Sequence, residues 1–109
     1  MVNPNGANFK IMKVTLKKST EVVYEKRTSQ IIVDIDGQEY IIRNSEDDNG
    51  CEYFIFNENF EKAWTAPHEL EDGELKDVLQ KLAETCYDDF LFSESRVGKE
   101  VDMEELQDY

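Results

Sequence analysis

The sequence predicts an α+β domain, with an antiparallel sheet of four to five strands and one long amphipathic helix packed on it. Three observations predict this fold: a hairpin signal at Asp36-Gly37, alternating apolar residues in the neighbouring segments, and a helical apolar stripe over residues 73–90. The chain has 109 residues, which suits a single domain with one modest hydrophobic core.

The central hairpin is predicted over residues 30–43, where two β-branched runs flank Asp36-Gly37. Asp-Gly favours a two-residue turn, because both turn positions need a positive φ angle. This turn places Ile35 opposite Gln38 and fixes the register of the remaining pairs. One face then carries Ile31, Val33, Ile35, Tyr40 and Ile42, and the other carries the pairs Asp34/Glu39 and Ile32/Ile41. A slip of one residue would expose the larger apolar set, so the register is well specified.

Two strands are predicted before the hairpin. Residues 9–17 alternate apolar and polar side chains, which puts Met12, Val14 and Leu16 on one face. After a turn at residues 17–20, residues 21–27 form a second strand or an extended connection. Residues 1–8 contain Asn-Pro-Asn-Gly, and we expect them to be a flexible N-terminus.

Aromatic segments follow the hairpin. Residues 44–50 are predicted to be a polar loop, because they are rich in turn-forming residues. Residues 51–56 form a strand, with Phe54 and Phe56 on one face and Tyr53 and Ile55 on the other. Residues 60–64 form a last strand, or residues 58–64 form a short helical turn, since Phe60 and Trp64 are four positions apart.

The helix is predicted over residues 73–90, because its apolar residues recur at steps of three and four. The stripe consists of Leu75, Val78, Leu79, Leu82, Cys86 and Phe90. Asp72 is expected to cap the helix start. Residues 93–109 are either an acidic tail or a short helix. The expected organisation is therefore a single domain over residues 9–92 between two terminal segments.

The net charge of −13 is unevenly distributed along the chain. Residues 1–43 hold seven Lys and Arg against five Asp and Glu, whereas residues 44–109 hold five against twenty. Such a surface disfavours direct nucleic-acid binding and anionic membranes, and it favours a basic protein partner. The apolar runs are too short for a membrane span, and the first residues lack signal-peptide features. We therefore expect a cytoplasmic protein.

Metal and cofactor sites find little support in the sequence. One His and two separated Cys residues are too few for a zinc site of the usual type. A calcium loop aligned on Gly50 would place Ser45 and Phe56 where Asp and Glu are required. The glycines form no phosphate-binding motif. We expect no metal and no cofactor.

Catalytic residues are not identified either. A nucleophile pair would have to combine His68 with Cys51 or Cys86, and Cys86 lies on the apolar stripe of the predicted helix. No pattern brings a base, its orienting group and oxyanion donors together. The sequence therefore favours a protein that is not an enzyme.

The acidic second half allows two interpretations. It is either a solvated face that keeps the protein soluble, or an extended surface that binds a basic partner. The candidate partner-binding residues are Glu46, Asp47, Asp48, Glu52, Glu71, Asp72, Glu74, Asp77, Glu84, Asp88, Asp102, Glu104 and Glu105. We expect Glu84 and Asp88 to lie one turn apart on the outward face of the helix.

In size, charge and one-domain α+β pattern, the chain resembles a class of small acidic inhibitors. This class comprises nucleic-acid mimics, anti-CRISPR proteins of phages, and immunity proteins that plug nucleases. The resemblance implies a non-enzymatic protein that occludes a basic, nucleic-acid-binding or nuclease-type partner by charge mimicry.

Two alternatives remain. A small-ligand or enzymatic domain would have a pocket between sheet and helix, holding His68 or converging carboxylates. An assembly subunit would expose an apolar patch at Ile32 and Ile41. The oligomeric state is left open.

Overall fold

The computed structural model of the chain describes residues 12–22 and 27–108. These residues form a five-stranded antiparallel sheet in which each strand pairs with the next along the chain. The strands are β1 Val14–Val22, β2 Arg27–Ile35, β3 Gln38–Asp47, β4 Gly50–Phe56 and β5 Trp64–Thr65. The helices are α1 Glu74–Thr85 and α2 Met103–Asp108, with 3-10 turns at Pro67–Glu69 and Glu94–Arg96. The predicted α+β fold is confirmed.

The central hairpin, β2–β3, has the predicted register. Ile35 pairs with Gln38, and all further pairs follow in step along both strands. Asp36 and Gly37 form the turn with φ angles of 50° and 91°. The predicted core face is buried throughout, with Ile31, Val33, Ile35, Tyr40 and Ile42 at most 6% exposed. The turn signal and the alternation together determined this part of the fold.

Strand β1 differs from its prediction. It continues through residues 17–20, where a turn was expected. The register shifts between Leu16 and Lys18 and again between Lys18 and Glu21, so bulges absorb the residues that were assigned to the turn. The predicted strand 21–27 falls largely on residues outside the described ranges, as does the predicted flexible segment 1–8.

The polar loop predicted over residues 44–50 is mostly strand. Strand β3 extends to Asp47 and β4 begins at Gly50, which leaves a two-residue turn at Asp48-Asn49. Asp47 Oδ1 accepts the backbone N–H of Asn49 at 2.8 Å, and Gly50 supplies a φ of 128°. The turn-forming residues therefore act only at the tip, while the ladder continues on either side.

The connection from β4 to the helix is irregular. Only Trp64 and Thr65 pair with β4, so the prediction of a strand over residues 60–64 is wrong. The Phe60 N–H bonds to the Asn57 carbonyl, and Ala63 has a φ of 61°, which is incompatible with an extended strand.

Helix α1 has 12 residues and is shorter than the predicted helix over 73–90. Its N-cap is Gly73, and Asp72 makes an ion pair with Lys76 at 2.9 Å instead of capping. The apolar stripe is confirmed as far as it runs on the helix: Val78, Leu79, Leu82 and Cys86 are 0% exposed, and Leu75 is half-buried.

Phe90 does not belong to the core, contrary to the prediction. The chain leaves the helix after Thr85, and Asp88 Oδ1 accepts the N–H groups of Phe90 and Leu91 at 2.8 and 2.9 Å. This turn directs Phe90 outwards, where it is 72% exposed, and places Phe92 in the core at 0% exposure.

The segment after Phe92 covers the outer edge of β1. The Leu16 N–H donates to the Lys99 carbonyl at 3.0 Å, and the Gly98 N–H donates to the Leu16 carbonyl at 2.7 Å. Helix α2 then buries Leu106 at 1% exposure. An edge strand otherwise offers a row of unpaired backbone groups, so this segment completes the sheet.

The sheet has two different faces. Helix α1 packs on the covered face, which holds the buried core described above. On the open face, a cross-strand row runs Ile32–Ile41–Phe56–Trp64, and all four side chains are half-buried. The Arg43 guanidinium carbon lies 4.4 Å from the Trp64 ring centroid on this face. Among the described residues, no helix is long and apolar enough to cross a bilayer.

Candidate partner-binding site

The candidate acidic residues fall into separate groups on the structure. The hairpin tip carries Glu46, Asp47, Asp48 and Glu52, all exposed. The start of α1 and the residues just before it carry Glu71, Asp72, Glu74 and Asp77, the last turn of α1 carries Glu84, and Asp88 follows the helix. Asp102, Glu104 and Glu105 lie at the start of α2. Of the candidate acids, Glu46 and Glu84 line the same hollow, whereas Glu71 and Asp102 line two other hollows.

The hairpin tip carries four acidic residues and one ion pair within the described ranges. Glu46 Oε2 lies 3.8 Å from Arg27 Nη2, in a pair whose side chains are 46% and 82% exposed. Asp47, Asp48 and Glu52 have no ion pair with any basic residue in the described ranges. Because an exposed pair contributes little, the tip keeps nearly its full negative charge towards solvent.

A hollow of about 420 Å³ lies between this tip and the end of α1. Its walls include Arg27, Glu46, Cys51, Tyr53, Glu84 and Tyr87, and we call it the acidic hollow. Glu46 belongs to the hairpin and Glu84 to the helix, so two carboxylates reach it from different elements. Gln80 Nε2 donates to Glu84 Oε2 at 3.3 Å and orients that carboxylate.

Asn44 links the hairpin to the helix beside the hollow through a hydrogen bond. It is only 6% exposed, and its Nδ2 donates to the carbonyl oxygen of Ala83 at 3.0 Å. Cys86 Sγ lies 3.6 Å from both the Ser29 and the Ala83 carbonyl oxygens. The contacts with Ala83 satisfy a carbonyl group that the end of α1 leaves without a backbone partner, and the contact with Ser29 links the helix end to β2. Sequence analysis missed Asn44, because it assigned that residue to a loop.

Burial changes two titratable groups at this junction. Desolvation raises the pKa of the Tyr53 hydroxyl, and the negative charges of Cys51 and Glu84 add to the effect. Desolvation also raises the pKa of the Cys86 thiol to about 12. Both groups are therefore neutral at physiological pH, and the carboxylates supply the charge of the hollow.

Several candidate acids are engaged within the chain. Asp88 supports the turn after α1, and Asp102 Oδ1 accepts the N–H groups of Glu104 and Glu105 at 3.1 Å. Glu105 pairs with Arg96 at 2.9 Å. The expectation that Glu84 and Asp88 share one outward helix face is wrong, because α1 ends at Thr85. These acids therefore organise local structure within the chain.

Two aromatic side chains near the end of α1 are exposed. Tyr87 is 53% and Phe90 is 72% exposed, and the Arg96 guanidinium carbon lies 4.9 Å from the Phe90 ring centroid. Sequence analysis placed Phe90 in the core. The acidic residues Asp88 and Asp89 were the signal against it, since negative charge is unfavourable at a helix C-terminus.

A separate hollow of about 200 Å³ beside β4 is lined by Cys51 and His68 together. Both residues are exposed, and no hydrogen bond joins them in the described structure. Within the described ranges, no group of three or more His, Cys, Asp or Glu residues could hold a metal ion. Cys86, the other thiol considered for a nucleophile pair, is buried in the core.

Comparison with protein-family models, curated proteins and solved structures gives no significant match to this chain. No functional residue is therefore carried over from a relative. Functional inference rests on the geometry of this chain alone.

Proposed function

We propose that this protein is a non-enzymatic acidic binding protein that occludes a basic surface of a partner protein by charge mimicry. The partner would be of the nucleic-acid-binding or nuclease type. The observation that supports this proposal is the hairpin tip, where Asp47, Asp48 and Glu52 are exposed and form no ion pair within the described ranges.

A well-ordered ladder supports the tip. Glu46 pairs with Cys51 and Ser45 with Glu52, and Thr28 Oγ1 donates to Ser45 Oγ at 3.2 Å. Carboxylates on such a ladder lose little conformational freedom when a partner binds. Their field also accelerates the approach of a basic surface, as the closely spaced phosphates of a nucleic acid do.

The experiment uses the partner recovered by affinity capture, identified and then purified. The triple variant Glu46→Lys, Asp47→Lys, Asp48→Lys should slow its association about tenfold or more at low salt, because the local field is reversed. Stopped-flow or surface-based kinetics at several salt concentrations measure the rate. Circular dichroism and chemical denaturation confirm that the variant remains folded.

The matched control is the triple variant Glu39→Lys, Glu58→Lys, Glu61→Lys, which reverses the charge of three exposed acids at the opposite end of the sheet. The control changes the net charge equally, so it separates the position of the charge from its total. Equal slowing by both triple variants would mean that only net charge matters. Unchanged association in the tip variant, or association insensitive to salt from about 50 to 500 mM, would contradict charge mimicry.

A second candidate, an assembly subunit, is favoured by the open face. The row Ile32–Ile41–Phe56–Trp64 offers a contiguous apolar strip for another protein chain. Sedimentation equilibrium of the free protein tests it. A mass that stays at 12.7 kDa at high protein concentration contradicts assembly between copies of this chain.

A further inference from the structure

We propose that the acidic hollow is a binding site for a guanidinium group, into which a basic partner inserts an arginine side chain. This inference rests on the proposed function and deepens it, because it names the group that the partner contributes. The hollow differs from a simple patch of negative charge in having a shape, aromatic walls and two carboxylates on separate elements.

The composition of the walls favours guanidinium over other cations. Glu46 and Glu84 provide carboxylate oxygens, and Tyr53 and Tyr87 provide aromatic surface. A guanidinium is planar, donates hydrogen bonds in its plane and stacks on aromatic rings with its faces. An ammonium group is a compact, strongly hydrated charge and would use the aromatic walls less well. The volume of about 420 Å³ is sufficient for one such side chain.

The guanidinium group of Arg27 already lies close to Glu46 of the acidic hollow. Its Nη2 lies 3.8 Å from Glu46 Oε2, yet the Arg27 side chain is 82% exposed. Arg27 therefore stands at the rim and does not fill the hollow. An exposed ion pair of this kind contributes little stability, so an incoming arginine displaces it at small cost.

The hollow is held in shape by buried contacts. Asn44 binds the Ala83 carbonyl at the end of α1, and this contact fixes the distance between the hairpin and the helix. Tyr53 stays protonated, since burial, followed by the charges of Cys51 and Glu84, raises the pKa of its hydroxyl. The site is therefore preformed, with Tyr53 in its wall beside the two carboxylates.

The test is a titration of the full ¹⁵N-labelled chain, followed by ¹H–¹⁵N NMR, with the peptide acetyl-Gly-Arg-Gly-amide. The matched peptide carries citrulline, which has nearly the same shape and no charge. We expect the arginine peptide to produce saturable shifts at the amides of Ser29, Asn44 and Cys51. The citrulline peptide should bind at least fivefold more weakly. Equal binding of the two peptides would overturn the proposal.

Three variants locate the site. Glu84→Gln keeps the size of the side chain and should weaken binding at least fivefold, whereas Glu71→Gln removes the same charge elsewhere and should leave binding unchanged. Arg27→Gln removes the internal competitor and should strengthen binding about two- to threefold. Shifts scattered over all acidic regions, reduced equally by Glu84→Gln and Glu71→Gln, would show unspecific attraction and overturn the proposal.

The outcomes for the hollow and for the proposed function can be told apart. If the arginine peptide fails to bind while the hairpin-tip variant still slows association with the purified partner, the proposed guanidinium site is overturned and charge mimicry is retained. If the peptide binds as expected while the tip variant, which also replaces Glu46 of the hollow, leaves association unchanged, the hollow binds guanidinium but the partner inserts no arginine there, which overturns the proposal together with charge mimicry.

Discussion

The two faces of the sheet are built from the same strands but have different surroundings. On the covered face, Ile31, Val33, Ile42 and Ile55 are 0% exposed. Their neighbours on the open face, the row Ile32–Ile41–Phe56–Trp64, are only half-buried. Both sets are apolar, so composition does not distinguish them. The difference arises because the described structure places one main helix, with one apolar stripe, on one face only.

The two cysteines should show the largest difference between an interior and a surface position, and the difference is in the reactivity of their thiols. Cys86 is buried, and burial raises the pKa of its thiol to about 12, so it forms far less thiolate than an exposed thiol does. Cys51 is exposed. A water-soluble aromatic disulfide reagent should therefore modify Cys51 quickly and Cys86 only after denaturation. Rapid modification of both thiols in the native protein would mean that the helix end opens easily.

The same shift has a consequence for stability against pH. Because folding raises the pKa of Cys86, the native thiol keeps its proton where the unfolded one loses it. The contribution of Cys86 to the free energy of unfolding is complete below about pH 9 and is lost as the pH rises towards about 12. In this range the free energy of unfolding falls by about 1.4 kcal/mol per pH unit. Cys86→Ala should remove this component of the alkaline slope in denaturation experiments.

Truncation on the covered face should cost the most stability. Leu79→Ala should lower the free energy of unfolding by about 2–5 kcal/mol, because Leu79 is 0% exposed and the change leaves a cavity. Val33→Ala loses fewer atoms at the same interface and should cost at least about 1 kcal/mol. Chemical denaturation measures both. A loss below about half a kcal/mol at either site would mean that the sheet and helix do not pack through these residues.

Asn44→Ala tests the polar contact on the covered face. The change removes the Asn44 hydrogen bond and leaves the Ala83 carbonyl with only the weak Cys86 thiol as a side-chain donor, which should cost about 1–3 kcal/mol. The stability loss is measured by denaturation, and the native spectrum of the ¹⁵N-labelled protein reports whether the helix end moves. The variant Asn49→Ala at the exposed hairpin tip is the control and should change stability little. Equal losses in the two variants would exclude a special role for Asn44.

Ile41→Thr on the open face should have the smallest effect. The position stays β-branched and is only half-buried, so we expect a loss below about 1 kcal/mol. Denaturation at several protein concentrations provides the measurement. A loss as large as that of Leu79→Ala, growing with protein concentration, would show that another copy of the chain covers this face and would remove the contrast between the faces.

The parts of the fold that were predictable are those specified by local sequence. The β2–β3 hairpin follows from Asp36-Gly37 and its flanking alternation, and the apolar stripe follows from the spacing of Val78, Leu79 and Leu82. The helix end was predicted too late, because the apolar spacing continues to Phe90 although Asp88 turns the chain away. Periodicity alone does not show where a helix stops.

The candidate site was less predictable than the fold. Glu46, Glu84 and Tyr87 were visible as charged and aromatic residues, but their meeting at one hollow depends on long-range packing. The contact of Asn44 with Ala83 is equally non-local. The charge of the second half led to the proposal of a basic partner, and only the fold indicated which carboxylates lie at the same hollow.

The pairing of residues 98–101 with β1 also has a consequence for synthesis on the ribosome. Strand β1 emerges before the other strands and α1, whereas the backbone groups that cover its edge, at Gly98 and Lys99, emerge after them. The nascent sheet therefore has an open edge until that stretch leaves the exit tunnel. Closure over so long a separation in sequence is slow, and we expect nascent chains stalled before residue 98 to engage chaperones that recognise unpaired strands.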